Sequence, residues 1–245
     1  MDRSAIVTGA SAGIGLAVSA VLGREGYAVT MVARDPTRLE ATGDKLRGEG
    51  FAVTGLVADV TEPDAAARVV AAHLERHGGL DVVVANAGTG TNASAARTDR
   101  DHVDGMLRAN VHSLFDLARA AIPSLRREEP DTREAGRGWF IVMSSMAGLW
   151  PMPGFAAYSA TKATGVSIAR SIAAEEAKRG VRACAICPAF VETDLSTWVH
   201  DRVPPEDMVR PEDVGEAVRM LLRLSPTTVV TELVLSRVGA PPYTP

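Results

Sequence analysis

Short apolar runs alternate with longer amphipathic ones along nearly the whole chain, and each run predicts an element. Arg3 to Thr8 reads as a strand that runs into Gly9-Ala10-Ser11-Ala12-Gly13-Ile14-Gly15. An apolar helix follows from Leu16 to Arg24 and ends near Gly26, a residue suited to a left-handed helix end. Tyr27 to Ala33 gives a second strand, Pro36 to Glu49 a charged helix, and Phe51 to Ala58 a third strand closed by Asp59-Val60. Thr61 is expected to cap the next helix, with Pro63 and Asp64 in its first turn. Leu80 to Ala85 is apolar but for Asp81, which suits a strand buried on both faces, and leads into Asn86-Ala87-Gly88. A long helical pattern then runs from about Arg97 to Arg127 with Asn110 near its middle. Asparagine is a mediocre helix former, so Asn110 either back-bonds locally or opens the helix there.

The second half repeats the alternation. Arg126 to Gly138 is a charged loop, and Gly138 to Met143 is a strand leading into Ser144-Ser145. A long helix from Ala156 to Gly180 carries Tyr158 and Lys162. Val181 to Cys187 is the next strand, followed by Pro188-Ala189 and an irregular lobe at about 194–210. Pro211 opens a last helix to about Leu224, Thr228 to Ser236 is a final strand, and the tail from Gly239 is expected to fray. Strands alternating with helices require right-handed crossovers. The expectation is therefore an α/β, Rossmann-type, doubly wound parallel sheet of seven strands with helices on both faces. It forms a single domain over residues 1–245, with the lobe at 194–210 as a short substrate cover.

Composition narrows the function classes. A net charge of −4 on 245 residues argues against a general nucleic-acid or anionic-membrane binder. The chain reaches Ala5-Ile6-Val7 almost at once, without a signal peptide, and no apolar run nears the roughly 18 residues of a membrane span. A cytoplasmic protein is expected. Cys184 and Cys187 form a C-x-x-C, but in a strand residues i and i+3 face opposite ways, so both read as core thiols. His73 and His77 are four apart on a helix, yet no third metal ligand is evident; they read as surface histidines, and no metal is expected.

Strand, glycine-rich turn and helix together make a phosphate cradle, because glycines admit a pyrophosphate and the helix start offers free N–H groups. At the end of the second strand an acid favours NAD, whereas an arginine accommodates the 2′-phosphate of NADP. Ala33 stands in the acid position and Arg34 follows, which favours NADP; a one-residue shift would bring Asp35 to the ribose and favour NAD. Asp59, at a strand end, can accept from an adenine amino group. Tyr158 and Lys162, at i and i+4, share a helix face, so the lysine charge can lower the phenol pKa. Ser145 can hold a carbonyl oxygen beside that phenol.

In this order, Thr8-Gly9-x-x-x-Gly13-x-Gly15, Asp59, Asn86-Ala87-Gly88, Asn110, Ser145 and Tyr158-x-x-x-Lys162 resemble the short-chain dehydrogenase/reductase family over residues 3 to 236. The resemblance implies that Tyr158 is the acid/base, that Lys162 lowers its pKa and holds the nicotinamide ribose, and that Ser145 binds the substrate oxygen. Asn110 would support a water chain to Lys162. Cofactor contacts would come from Gly9, Ser11, Gly13, Ile14, Gly15, Arg34, Asp59, Val60, Asn86, Ala87, Gly88, Tyr158, Lys162, Pro188 and Thr193. The implied activity is NADP(H)-dependent interconversion of a ketone and a secondary alcohol. The alternatives are an NAD-dependent alcohol dehydrogenase of the same fold, or a nucleotide-binding regulator without turnover. Two departures stand out: Pro188-Ala189 replaces the family's Pro-Gly, and Leu235-Ser236-Arg237-Val238-Gly239 lacks its Asp-Gly-Gly. A homo-oligomer, dimer or tetramer, is still expected. Met146, Leu149, Trp150, Met152, Phe155, Phe190, Leu195 and Trp198 flank the catalytic segments and predict an apolar pocket for a small carbonyl or alcohol.

Overall fold

A computed structural model describes residues 3–126 and 138–240. Seven parallel strands form one sheet: β1 (Ser4–Thr8), β2 (Ala28–Ala33), β3 (Val53–Val57), β4 (Val82–Ala85), β5 (Gly138–Met143), β6 (Val181–Pro188) and β7 (Glu232–Leu235). Their spatial order is β3-β2-β1-β4-β5-β6-β7. The order reverses between β1 and β4, so a crevice opens at the carboxyl ends of those strands. The doubly wound expectation holds.

Period 2 within the strands supplies two apolar faces, and the helices cover both. Ala5, Val7, Val82, Val84, Cys184 and Ile186 share one core with α1 (Gly13–Arg24), α2 (Pro36–Gly48) and α7 (Pro211–Leu222). Ile6, Val83, Ala183, Ala185 and Cys187 share the other with α3 (Ala65–His77), α5 (Ser113–Leu125) and α6 (Ala156–Glu176). The two cysteines thus lie in opposite layers, both fully buried and free. Burial pushes Cys184 up to about 12 and Cys187 up to about 11, which keeps both as unreactive thiols.

The long helical pattern is broken where Asn110 sits. α4 (Arg100–Leu107) passes into a π-helical turn, Arg108–His112, before α5 begins. Most residues of the Arg126–Gly138 loop, and the tail beyond Ala240, lie outside the described residues. The lobe after β6 contains two 3-10 turns, Asp194–Val199 and Pro205–Asp207, tied back by a bridge between Val191 and Val209.

Two expectations fail. Thr61 does not cap α3; its hydroxyl donates to Asp59 at 2.7 Å, and the helix begins at Ala65 behind Asp64. His73 is not a surface residue: it is 1% exposed, in register with buried Val69 and Val70 on the inner stripe of α3. Its Nε2 donates to the Gly79 carbonyl at 3.1 Å, and with the ring neutral Nδ1 accepts from Thr30 Oγ1 at 2.8 Å. Burial and the neighbouring His77 lower its pKa to about 4. Among the described residues no helix is long and apolar enough to cross a membrane.

Candidate active site

The turn between β1 and α1 is shaped by what it must avoid. Gly9 and Gly13 have φ of 64° and 51°, a region that a Cβ disfavours. At Gly15 a Cβ would stand 2.2 Å from the Gly9 carbonyl oxygen, so the turn closes only with glycine there. Asn86 Nδ2 fastens this turn to the end of β4 by donating to the carbonyls of Thr8 and Gly9, at 3.0 and 3.1 Å. Thr8 Oγ1 in turn accepts from the amides of Asn86 and Ala87, each at 3.0 Å. α1 follows Ala12, which offers no side-chain cap, and has no acid in its first turn. Its unpaired N–H groups and positive dipole end face the crevice, which fits the phosphates of a dinucleotide.

At the end of β2, Asp35 is already engaged. Its carboxylate accepts from Arg38 N at 3.0 Å and caps α2. Arg34 beside it is exposed. Asp59 accepts from both the amide and the hydroxyl of Thr61, at 2.9 and 2.7 Å, and these bonds, with Arg34 nearby, hold its pKa below the usual carboxylate value.

Tyr158 and Lys162 lie one turn apart on α6, opposite the end of β5 where Ser145 stands. Lys162 Nζ donates to the Met143 carbonyl at 3.0 Å and lies 5.7 Å from the Tyr158 ring centre. Burial pushes the Tyr158 phenol up to about 12, and a hydrogen bond with Ser145 opposes the rise. The same burial brings Lys162 down to about 8, and the neighbouring Cys187 thiol works against that fall. Desolvation is thus the larger influence on the phenol, with Ser145 opposing it. Asn110 is 7% exposed and clamps the segment after Gly88. Its Oδ1 accepts from Thr89 N at 2.8 Å, while its Nδ2 donates to Thr89 O and Thr161 Oγ1 at 2.8 and 2.9 Å. It lies within the π turn Arg108–His112 and is the buried residue of that turn.

Ser145, Tyr158 and Lys162 share the wall of one cleft of about 570 Å³ with the start of α1. Of the sequence candidates, Gly9, Gly13, Ile14, Asn86, Ala87, Gly88, Ser145, Tyr158, Lys162, Pro188 and Thr193 form its wall. Ser11, Gly15, Arg34 and Asp59 lie outside the wall, and Asn110 and Val60 line a separate cavity of about 30 Å³ behind it, shared with Lys162. Met152, Phe155, Phe190, Leu195 and Trp198 line the cleft as expected. Met146, Leu149 and Trp150 instead pack into the core. Trp198 bridges Phe155 and Phe190, with ring centres 5.1 and 5.8 Å away. Ala189 is buried at the wall, its amide bonded to Leu235 O at 2.8 Å. Sequence reading missed Gly90, Thr91 and Asn92, which form the facing wall. Gly90 was the available signal: a Cβ there would come within 2.8 Å of the Tyr158 ring.

Comparison with known proteins agrees with this geometry. A family model described as short chain dehydrogenase matches residues 3–203. Oxidoreductase UcpA of Escherichia coli (strain K12) is 33% identical over 217 residues, covering 86% of this chain and 77% of that relative. A variant of actinorhodin polyketide ketoreductase, solved with NADPH, superposes with a TM-score of 0.86 at 28% identity, covering 96% of this chain and 95% of the other. A 3-ketoacyl-(acyl-carrier-protein) reductase from Brucella melitensis, solved with NADH, gives a TM-score of 0.85 at 25% identity, with 96% of each chain covered.

Proposed function

The chain belongs to the short-chain dehydrogenase family and is an oxidoreductase acting between CH–OH and C=O with NAD(P); from that premise we propose that it is an NADP(H)-dependent ketone reductase. One observation carries the reading: Ser145, Tyr158 and Lys162 meet on the wall of a cleft that also contains an uncapped helix start. When bound, the nicotinamide supplies the hydride. Gly9, Ser11, Gly13, Ile14 and Gly15 hold the pyrophosphate end; Asp59 and Val60 take the adenine, Arg34 the 2′-phosphate, and Asn86, Ala87, Gly88, Pro188 and Thr193 the remainder.

The protein's own part is proton management. A phenol near 12 is fully protonated at neutral pH, so Tyr158 holds a proton ready for the oxygen of a reduced ketone. Ser145 orients that oxygen by hydrogen bonding. Lys162, near 8, is mostly charged at pH 7 and stabilises the phenolate left behind. Asn110 positions Thr89 and, through Thr161, the α6 turn that carries both Tyr158 and Lys162. The substrate is a small, apolar carbonyl compound, matching Met152, Phe155, Phe190 and Trp198.

The choice of NADP over NAD is supported by Asp35, whose Oδ1 caps α2, and by Arg34, which stays exposed beside it. A single cytoplasmic catalytic domain assembling as a homodimer or homotetramer completes the proposal, supported by exposed Phe115 on α5 and by two free thiols. The test is a panel of neutral ketones assayed by loss of NADPH absorbance. Ketone-dependent oxidation with NADPH well ahead of NADH is expected; no turnover with any ketone or alcohol would leave a nucleotide-binding protein without this activity.

A further inference from the structure

One exposed ion pair ties α2 to the lobe: Arg38 Nη2 donates to Asp194 Oδ2 at 2.7 Å, joining residues 156 apart in sequence. Asp194 lines the cleft, and its neighbour Thr193 lies against Gly13, where an added Cβ would come within 2.8 Å of the threonine methyl. Arg38 stands in the first turn of α2, with its backbone amide on Asp35 and Arg34 just before it. Its backbone is therefore anchored at the strand end where a dinucleotide's adenosine ribose lies in this type of sheet, and its guanidinium reaches from there to the lobe.

Resting on the proposed function, we infer that Arg38 is a cofactor-specificity residue shared between two anions: Asp194 of the lobe and the 2′-phosphate of NADP. Both partners of the present pair are more than half exposed, at 52% and 76%, and such pairs contribute little and exchange readily. A phosphate near double charge takes a guanidinium in two parallel bonds and outcompetes a lone carboxylate. Asp194 is then a built-in competitor. It weakens NADPH by holding Arg38 away from the phosphate, and it does nothing to NADH, which has no 2′-phosphate. Binding of NADPH releases the α2 tie on the lobe; binding of NADH leaves that tie in place.

The test is a double-mutant cycle read by nicotinamide fluorescence, with NADPH and NADH titrated into wild type, Arg38→Gln, Asp194→Asn and the double variant. Arg38→Gln is expected to weaken NADPH roughly tenfold, as loss of a charge-assisted phosphate contact should. Asp194→Asn is expected to tighten NADPH about two- to fivefold, and to do nothing once Arg38 is gone. NADH affinity stays within about twofold throughout. The inference is overturned if Asp194→Asn leaves NADPH unchanged, shifts NADH equally, or acts undiminished in the Arg38→Gln background. If wild type prefers NADPH and Arg34→Ala removes that preference while Asp194→Asn is silent, this inference fails alone. If wild type binds neither nucleotide, the proposed function falls with it.

Discussion

Replacing Asn110 with alanine separates a structural clamp from a group needed only for proton traffic. The side chain is 7% exposed and makes three hydrogen bonds of 2.8–2.9 Å, two of them to the backbone of Thr89. Thr161 keeps a partner after the change, because its hydroxyl also donates to Tyr158 O at 2.8 Å. Thr89 loses both; because Thr89 is itself exposed and these bonds are only part-buried, each is worth about 0.5–1.5 kcal/mol net, so the clamp is worth about 1–3 kcal/mol. Water entering from the adjacent cavity of about 30 Å³ would bring the loss toward the lower end. Urea unfolding should show this as a lower midpoint at constant m. Turnover should fall as well, since Thr89 begins the wall whose Gly90 abuts the Tyr158 ring. A stability loss below about 1 kcal/mol, with activity abolished, would refute the clamp and return Asn110 to a purely chemical role.

Two pH effects follow from burial. Lys162 is charged below about 8, so kcat/KM for ketone reduction should be level at neutral pH and fall above pH 8, about tenfold per unit; a flat profile to pH 9.5 would contradict this. His73 titrates near 4 in the fold against 6.5 when unfolded, so the unfolded chain binds the extra proton between those values. Its contribution, up to about 3 kcal/mol, is complete above pH 6.5 and lost as pH falls toward 4, and His73→Gln should flatten that slope in urea unfolding at pH 4–7. An unchanged slope would mean that other groups govern acid stability.

Much of the sheet was legible because both its faces are buried, which leaves strands such as β4, Val82–Ala85, apolar at every position. The glycine turn, Ser145, Tyr158 and Lys162 were legible for a different reason: the crevice sits at strand ends, so the site is spelled in short contiguous motifs. What escaped depends on tertiary contact. The Tyr158 pKa depends on burial by the surrounding fold and on Ser145, which spacing on a helix does not encode. His73 could have been read from its register with Val69 and Val70, but its partners Thr30 and Gly79 come from β2 and a turn. Thr61 resembles a helix cap until Asp59, two residues back, claims its hydroxyl. The sorting of Met152 and Phe155 to the cleft but Met146 and Trp150 to the core turns on the 3-10 turn Met146–Gly148, which no periodicity announces.

The central claim is that Tyr158 gives the proton, and Tyr158→Phe tests it most directly because the ring and its contacts with Phe155 and Gly90 are retained. Single-turnover NADPH oxidation with a ketone that wild type reduces should slow by at least about 100-fold in the variant, with NADPH affinity within about twofold. A variant that binds NADPH and turns over at the wild-type rate would remove Tyr158 from the chemistry and leave the account without its acid.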